Sequence, residues 1–291
     1  MRTVDPTALR DALRGVRGLL LDLDGVIVSA GQAVPGSVEA VNELERRGTA
    51  YRIVTNTSLV SRRSLSQLAG RLGNRIPPER FQSALSASAA YAARAFPGRP
   101  LYVLSSADAR SEFDGQHLLT HEEAAAPGAR AAAVIVGDSP DELTYRNLNL
   151  AFRLIRGGAR LIGMHRNAWW LTEDGPTLDS GAYVTGLEFA AGIHAQIIGK
   201  PAPAFFSLAV DALRREVVAR GDRLRRSEIA MVGDDLRTDV LAGQRAGLCG
   251  VLVLTGKHGL DAVAAVNGHG RGGREPHGVA PSLADVVAAL D

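Results

Sequence analysis

The sequence predicts an α/β fold: a parallel sheet covered by helices on both faces, with a second, smaller α/β unit inserted into it. Three observations lead there. Short apolar runs alternate with amphipathic segments, the pattern of strand–helix–strand units. Four of the runs end in polar residues, at Asp22 and Asp24, at Thr55 and Asn56, at Lys200, and at Asp234 and Asp235. The texture changes after Ile76-Pro77-Pro78 and recovers strong strand signals beyond Gln196. The expected division is 1–77 for the first part of the core, 78–182 for the insert and 183–291 for the rest of the core.

Thr7 to Val16 has helical spacing through Leu9, Leu13 and Val16 and is expected to pack beside the first strand. That strand leads through Leu19, Leu20 and Leu21 into Asp22, Asp24 and Gly25; an apolar run bounded by glycine reads as a strand buried on both faces. Pro35 to Arg47 reads as a helix, with Ser37 able to cap it, Val38, Val41 and Leu44 forming a stripe, and Gly48 closing it. Tyr51 to Thr55 is the next strand, and Ser61 to Leu72 the next helix. Within the insert, Ala84 to Ala95 and Leu143 to Ile155 are helices, while Leu101 to Ser105, Ala132 to Val136 and Arg160 to Met164 are strands. The polar stretch Thr172 to Ser180 marks its far edge. Gln196 to Ile198 opens the return to the core. After it come a helix over Pro203 to Arg220, a buried strand over Glu228 to Val232, a helix over Leu236 to Ala246 and a strand over Gly250 to Leu254. Gly256 to Gly278, rich in glycine and histidine, is expected to be a loop, and Leu283 to Leu290 a closing helix.

Composition narrows the functional classes. An apolar share of 46% against 22% charged residues suits an ordinary soluble globular protein. A net charge of +2 provides no field to gather nucleic acid or anionic lipid. The arginines between Arg214 and Arg226 alternate with Glu216 and Asp222, the pattern of a solvated helix end. No apolar run approaches the ~20 residues a membrane helix needs, and the first residues are too charged for a signal-peptide core. A single cysteine, Cys249, excludes an internal disulfide and suits a cytoplasmic setting. His258, His269 and His277 lack metal-ligand spacing.

Asp22 and Asp24 lie two apart, so on a strand they point to the same side and repel unless a cation or a shared proton intervenes. A solvated strand end is the plainer alternative. Lys200 ahead of Pro201, taken alone, is a loop lysine. Together the case differs, because ligands in open α/β sheets bind just outside the carboxyl ends of the strands. Four such ends would bring carboxylates, a hydroxyl and an ammonium to one crevice. Asp235 is expected as a helix N-cap, and Asp239, one turn into the following helix, as a supporting group.

These stretches carry a resemblance. Asp-Leu-Asp-Gly-Val at 22–26, Thr55-Asn56 after a strand, Gly-Lys-Pro at 199–201 and Gly-Asp-Asp-Leu-Arg-Thr-Asp at 233–239 resemble, in order and spacing, the four motifs of the haloacid dehalogenase superfamily. The insert resembles the α/β cap of its type-IIA, NagD-like subfamily. His165-Arg166-Asn167, Phe205-Phe206 and Leu254-Thr255-Gly256-Lys257 look closest to the phospholysine phosphohistidine inorganic pyrophosphate phosphatase group. The resemblance implies a three-layer Rossmann-like core and a Mg²⁺-dependent phosphatase acting on a small phosphorylated metabolite. It implies Asp22 as the nucleophile that forms an aspartyl-phosphate, and Asp24 as general acid and base. It implies Mg²⁺ on Asp22, the Asp24 carbonyl and Asp234, phosphate on the Thr55 hydroxyl and the Asn56 amide, and Lys200 as the fixed counter-charge. Gly25 would leave room for the backbone to approach the phosphate, with Asp235 and Asp239 supporting. Caps of this family often pair, so the resemblance points to a homodimer. His165, Arg166, Trp169 and Trp170 fall where a type-IIA cap presents its specificity loop; for the tryptophans, packing and substrate contact both stand open. Within the superfamily, a dehalogenase is disfavoured by Asp24, and a phosphonatase by the absence of any lysine between Arg62 and Gly199. The alternative from a different class is a catalytically weak binding or regulatory protein on the same fold.

Overall fold

The computed structural model describes residues 4–172, 175–268 and 275–290. The chain divides into two compact units. One takes in the chain up to Thr55, Ser66–Gln82 and everything from Lys200 onward; the other takes in Asn56–Leu65 and Ser83–Gly199.

The first unit is built on a six-stranded sheet. Its spatial order is Gly278–Ala280, Cys249–Val253, Ile229–Gly233, Gly18–Leu21, Ala50–Thr55 and Phe81–Ser83. The central strand lies parallel to both neighbours, with Leu20 opposite Met231 on one side and Arg52 on the other. Leu19, Leu20 and Leu21 are fully buried, each contributing roughly 1.5–3 kcal/mol over an exposed side chain. That is why this run is apolar at every position rather than at alternate ones. Helices cover both sides of the sheet. Ser37–Arg47 turns Ala40, Val41 and Leu44 inward. Pro203–Ala219 begins on a proline, whose missing N–H costs nothing in a first turn, and buries Phe205, Phe206, Val210 and Leu213.

Three details of this unit depart from the pattern read off the sequence. The helix expected from Leu236 starts as a widened turn over Leu236–Val240 and becomes regular over Leu241–Arg245. Within the glycine- and histidine-rich stretch expected to be a loop, Leu260–Gly268 is helical, and His269 lies outside the described residues. The two edge strands, Phe81–Ser83 and Gly278–Ala280, have three residues each, too few to show a period. His277 holds the second of them, its Nδ1 accepting from the Gly250 amide at 3.0 Å.

The second unit has its own parallel sheet, ordered Gln196–Ile197, Arg160–Gly163, Ala133–Val136 and Leu101–Leu104. Its core gathers Tyr102, Val134, Leu154, Leu161 and Val184. Two helices, Tyr145–Arg156 and Ser180–Ala191, lend it Leu150, Leu154 and Leu187. Gln196–Ile197, expected in the core, instead pairs with Ile162 and Gly163 at the open edge of this sheet, so the unit runs on to Gly199 rather than stopping near 182. The polar stretch expected to mark the far edge of the insert carries regular structure of its own. Gly175–Leu178 pairs antiparallel with Trp169–Thr172, and Asp179 then caps the helix that follows. Asn56–Leu65 joins this unit because its backbone is tied there. Ser105 Oγ donates to the Ser58 carbonyl at 2.9 Å, and the Ser61 amide to Asp108 Oδ2 at 2.7 Å.

Candidate active site

The carboxyl ends of three adjacent parallel strands in the first unit carry its candidate site residues, two of them acidic. Asp22 follows Gly18–Leu21, and its amide still donates to the Val232 carbonyl, so the ladder holds its side chain in place. Thr55 ends Ala50–Thr55, fully buried, and its hydroxyl hydrogen-bonds the Asp24 carboxylate. Asp234 follows Ile229–Gly233. Lys200 reaches this group as the first residue to re-enter the unit.

Its ammonium is 3% exposed and lies 2.8 Å from Asp22 Oδ1, 2.7 Å from Asp239 Oδ1 and 3.3 Å from the Val54 carbonyl. Carboxylate oxygens of Asp22, Asp234 and Asp239 lie within 4.8 Å of one another. Burial would strip the proton from Lys200, but Asp22 and Asp239 outweigh it and hold the ammonium above the usual lysine range. The carboxylates are pushed the other way. Burial is the largest cause at Asp22, raised to about 6 against the pull of Lys200, and at Asp239, raised to about 8 with Asp22 adding to the rise. Asp234 rises to about 6 through burial and then Asp239. Asp24 also rises to about 6, with burial again the largest cause, Lys200 opposing it and the charges of Asp234 and Asp239 adding to it. Four carboxylates thus share one ammonium. An all-oxygen, acidic donor set with too little positive charge is the chemistry that suits a hard divalent cation.

Asp234 is enclosed by two glycines. A Cβ at Gly25 or at Gly256 would collide with its carboxylate, and Gly25 also adopts a φ of +73°, which other residues rarely take. Asp235 points elsewhere, as an N-cap, accepting from the amides of Arg237 at 2.8 Å and Thr238 at 3.0 Å. Burial opposes its ionisation, but the Lys257 ammonium and those two amides hold it down at about 2.

Most of the sequence-predicted residues therefore meet in one unit: Asp22, Asp24, Gly25, Thr55, Lys200, Asp234, Asp235 and Asp239. Asn56 is grouped with the second unit, where its side-chain amide donates to Asn167 Oδ1 at 3.3 Å. His165 is buried there against Ser58 at 2.9 Å and Ser180 at 3.2 Å, with burial pushing its pKa down to about 4. Arg166 is ion-paired to Glu188. Trp169 and Trp170 stand on the strand Trp169–Thr172, 56% and 43% exposed. Sequence reasoning assigned no role to Lys257 and His258, which bond Asp234 and Asp235, or to Thr255, whose hydroxyl bonds the Gly25 carbonyl. One signal was available. The chain has 31 arginines and two lysines, and both lysines pair with aspartates of this group, Lys200 with Asp22 and Asp239 and Lys257 with Asp235.

Fold and cluster together define a doubly wound α/β protein with an acidic cluster and a buried lysine at its strand ends. The comparisons place it further. A family model described as haloacid dehalogenase-like hydrolase matches residues 19–118, and a related model of such hydrolases matches 197–286. Haloacid dehalogenase-like hydrolase domain-containing protein 2 of Rattus norvegicus is 34% identical over 85% of this chain and 87% of its own. Phospholysine phosphohistidine inorganic pyrophosphate phosphatase of Homo sapiens is 34% identical over 84% and 85%. The chain belongs to the haloacid dehalogenase-like hydrolase family. Among solved structures, a p-nitrophenyl phosphatase from Archaeoglobus fulgidus superposes with a TM-score of 0.81 at 28% identity, over 94% of this chain and 99% of that one. NagD from E. coli K-12 gives 0.77 at 25%, over 92% and 97%. A glycerol phosphate phosphatase from Mycobacterium tuberculosis, in complex with magnesium, gives 0.79 at 25%, over 94% and 77%. The branch is type IIA, NagD-like.

Proposed function

We propose that the chain is a Mg²⁺-dependent phosphatase of small phosphorylated metabolites, working through an aspartyl-phosphate on Asp22. The observation that carries this reading is the Lys200 ammonium bridging Asp22 and Asp239 at 2.8 and 2.7 Å. An anionic nucleophile facing a dianionic ester needs fixed positive charge beside it, and Lys200 supplies it. A carboxylate oxygen of Asp22 attacks phosphorus as the ester bond breaks, and Asp24 gives its proton to the departing alkoxide. Asp24 then takes a proton from the water that attacks the phosphoryl-aspartate, which frees Asp22 and inorganic phosphate. A pKa near 6 suits Asp24 for giving and taking a proton around neutral pH. In the free site the Thr55 hydroxyl donates to Asp24; with substrate bound it turns its single proton to a phosphate oxygen, with the Asn56 amide beside it in sequence. Mg²⁺, when bound by Asp22, the Asp24 carbonyl and Asp234, supplies charge neutralisation for both anions. The magnesium-bound glycerol phosphate phosphatase and the p-nitrophenyl phosphatase support this choice of metal and substrate class.

A cytoplasmic setting and pairing of two copies complete the proposal. The second unit leaves an apolar groove between Tyr145–Arg156 and Ser180–Ala191, lined by Leu148, Phe152, Tyr183 and Leu187, with Phe189 91% exposed nearby in sequence. Such a face suits a second copy.

The decisive test is Asp22→Asn. It should abolish hydrolysis of 4-nitrophenyl phosphate while leaving the circular dichroism spectrum unchanged, and retained turnover would remove Asp22 as nucleophile.

A further inference from the structure

Asp234 is held from behind by one short loop. Residues 255–258 follow the Cys249–Val253 strand and meet the turn at 234–236 through four bonds. The Lys257 amide donates to Asp234 Oδ2 at 2.8 Å, and the His258 amide to the Asp234 carbonyl at 3.3 Å. The Leu236 amide donates to His258 Nδ1 at 3.1 Å, and the Lys257 ammonium to Asp235 Oδ2 at 2.7 Å. The same loop reaches the end of the first strand, where the Thr255 hydroxyl donates to the Gly25 carbonyl at 2.5 Å. Lys257 therefore grips Asp234 with its backbone and the adjacent Asp235 with its side chain. Asp235 is a firm anchor, since its other oxygen already caps the next turn.

The Lys257 side chain is 58% exposed, and an exposed ion pair by itself contributes little to stability. Its importance lies in what it closes. With the amide on Oδ2, and Gly25 and Gly256 packed against the carboxylate, one Asp234 oxygen is committed to the protein and the other is left for a cation. We propose that Lys257 is a positioning residue for Asp234: its ion pair with Asp235 closes a clamp that fixes the Asp234 carboxylate and thereby sets the affinity for a divalent cation. This rests on Asp234 being a cation ligand, as proposed above.

The clamp and simple Coulomb repulsion predict opposite signs. An ammonium close to a cation site repels the cation, so on charge alone its removal tightens binding. If the clamp dominates, removal weakens binding. The experiment is calorimetric titration of the full chain with Mg²⁺ in the absence of substrate, for wild type, Lys257→Met, Asp235→Asn and the double variant. Lys257→Met keeps the amide and most of the stem, and Asp235→Asn keeps a residue competent to cap the helix. Each single variant should weaken Mg²⁺ binding about tenfold, the scale of losing a group that orients a ligand. The double variant should be no weaker than the worse single, because one coupled pair has been broken. Lys257→Arg, which keeps charge and reach, should bind within about threefold of wild type. Unchanged or tighter Mg²⁺ binding in Lys257→Met overturns the proposal, as does an additive loss in the double variant. A raised KM for 4-nitrophenyl phosphate with unchanged Mg²⁺ affinity would put the ammonium on the substrate and also overturn it. Asp234→Asn separates the two levels: wild-type Mg²⁺ affinity in that variant defeats the ligand reading itself, whereas the clamp alone fails when Asp234→Asn loses Mg²⁺ and Lys257→Met does not.

Discussion

Asp22 and Asp24 are two residues apart and chemically unlike. Asp22 is 7% exposed and bonded to the Lys200 ammonium, whereas Asp24 keeps an exposed face and takes the Thr55 hydroxyl. Their single substitutions should therefore differ in kind. Asp24→Asn should slow hydrolysis of an alkyl phosphate such as glycerol phosphate by roughly 10²–10⁴, the usual worth of general acid–base catalysis. The loss should be smaller for formation of the phosphoryl-enzyme from 4-nitrophenyl phosphate, whose leaving group departs without a proton. Rapid-quench measurement of the first turnover checks this, and equal losses for both substrates would contradict the acid role. At this scale the sequence was informative where a side chain of the cluster sits at the end of a strand. Asp22, Thr55, Lys200 and Asp234 stand at the ends of apolar runs and announce themselves. Lys257 does not, because its contacts arise from a backbone amide and from Asp235, 22 positions away, and only the fold brings those together.

Among the elements, the ones that position the site were the most legible. Gly18–Leu21 and Ile229–Gly233 are central strands, covered on both faces, and so spell unbroken apolar runs. Edge strands of two or three residues carry no such signature. Nothing local tells Gln196–Ile197 which sheet to join, since a two-residue strand takes its partner from whichever open edge the chain passes. The helix Leu260–Gly268 was hidden by the glycines and histidines around it. One pair of elements carries a prediction. Tyr145–Arg156 and Ser180–Ala191 leave their shared groove uncovered. If two copies meet there, Tyr145→Glu, at an 85% exposed residue that lines the groove, should convert a dimer to a monomer in light scattering after gel filtration, with turnover per chain changed little. A dimer that persists would locate pairing elsewhere.

For the whole molecule, the crowded carboxylates couple stability to pH. Asp22, Asp24 and Asp234 are raised from 3.8 to about 6 and Asp239 to about 8. The metal-free folded chain then holds protons that the unfolded chain has already released, so these groups stabilise it most below pH ~4, and that contribution is lost as pH rises through 6 to 8. Melting in EDTA should therefore show this site's contribution falling between about pH 5.5 and pH 8. Saturating Mg²⁺, which binds the folded carboxylates as anions, should raise the melting temperature more at pH 8 than at pH 5.5. An equal increment at both values would show that the acidic cluster is not where the ion binds.

The scarcity of lysine has a practical consequence. Of the two side-chain amines, one is 3% exposed and precedes a proline, while the other is 58% exposed. An amine-directed fluorophore therefore has a single accessible side-chain target, and a lysine-specific protease a single bond it can readily cut, both at Lys257. The protein thus carries, without engineering, an address at the edge of its own acidic cluster, from which the state of that loop can be read by labelling rate or by protection from cleavage.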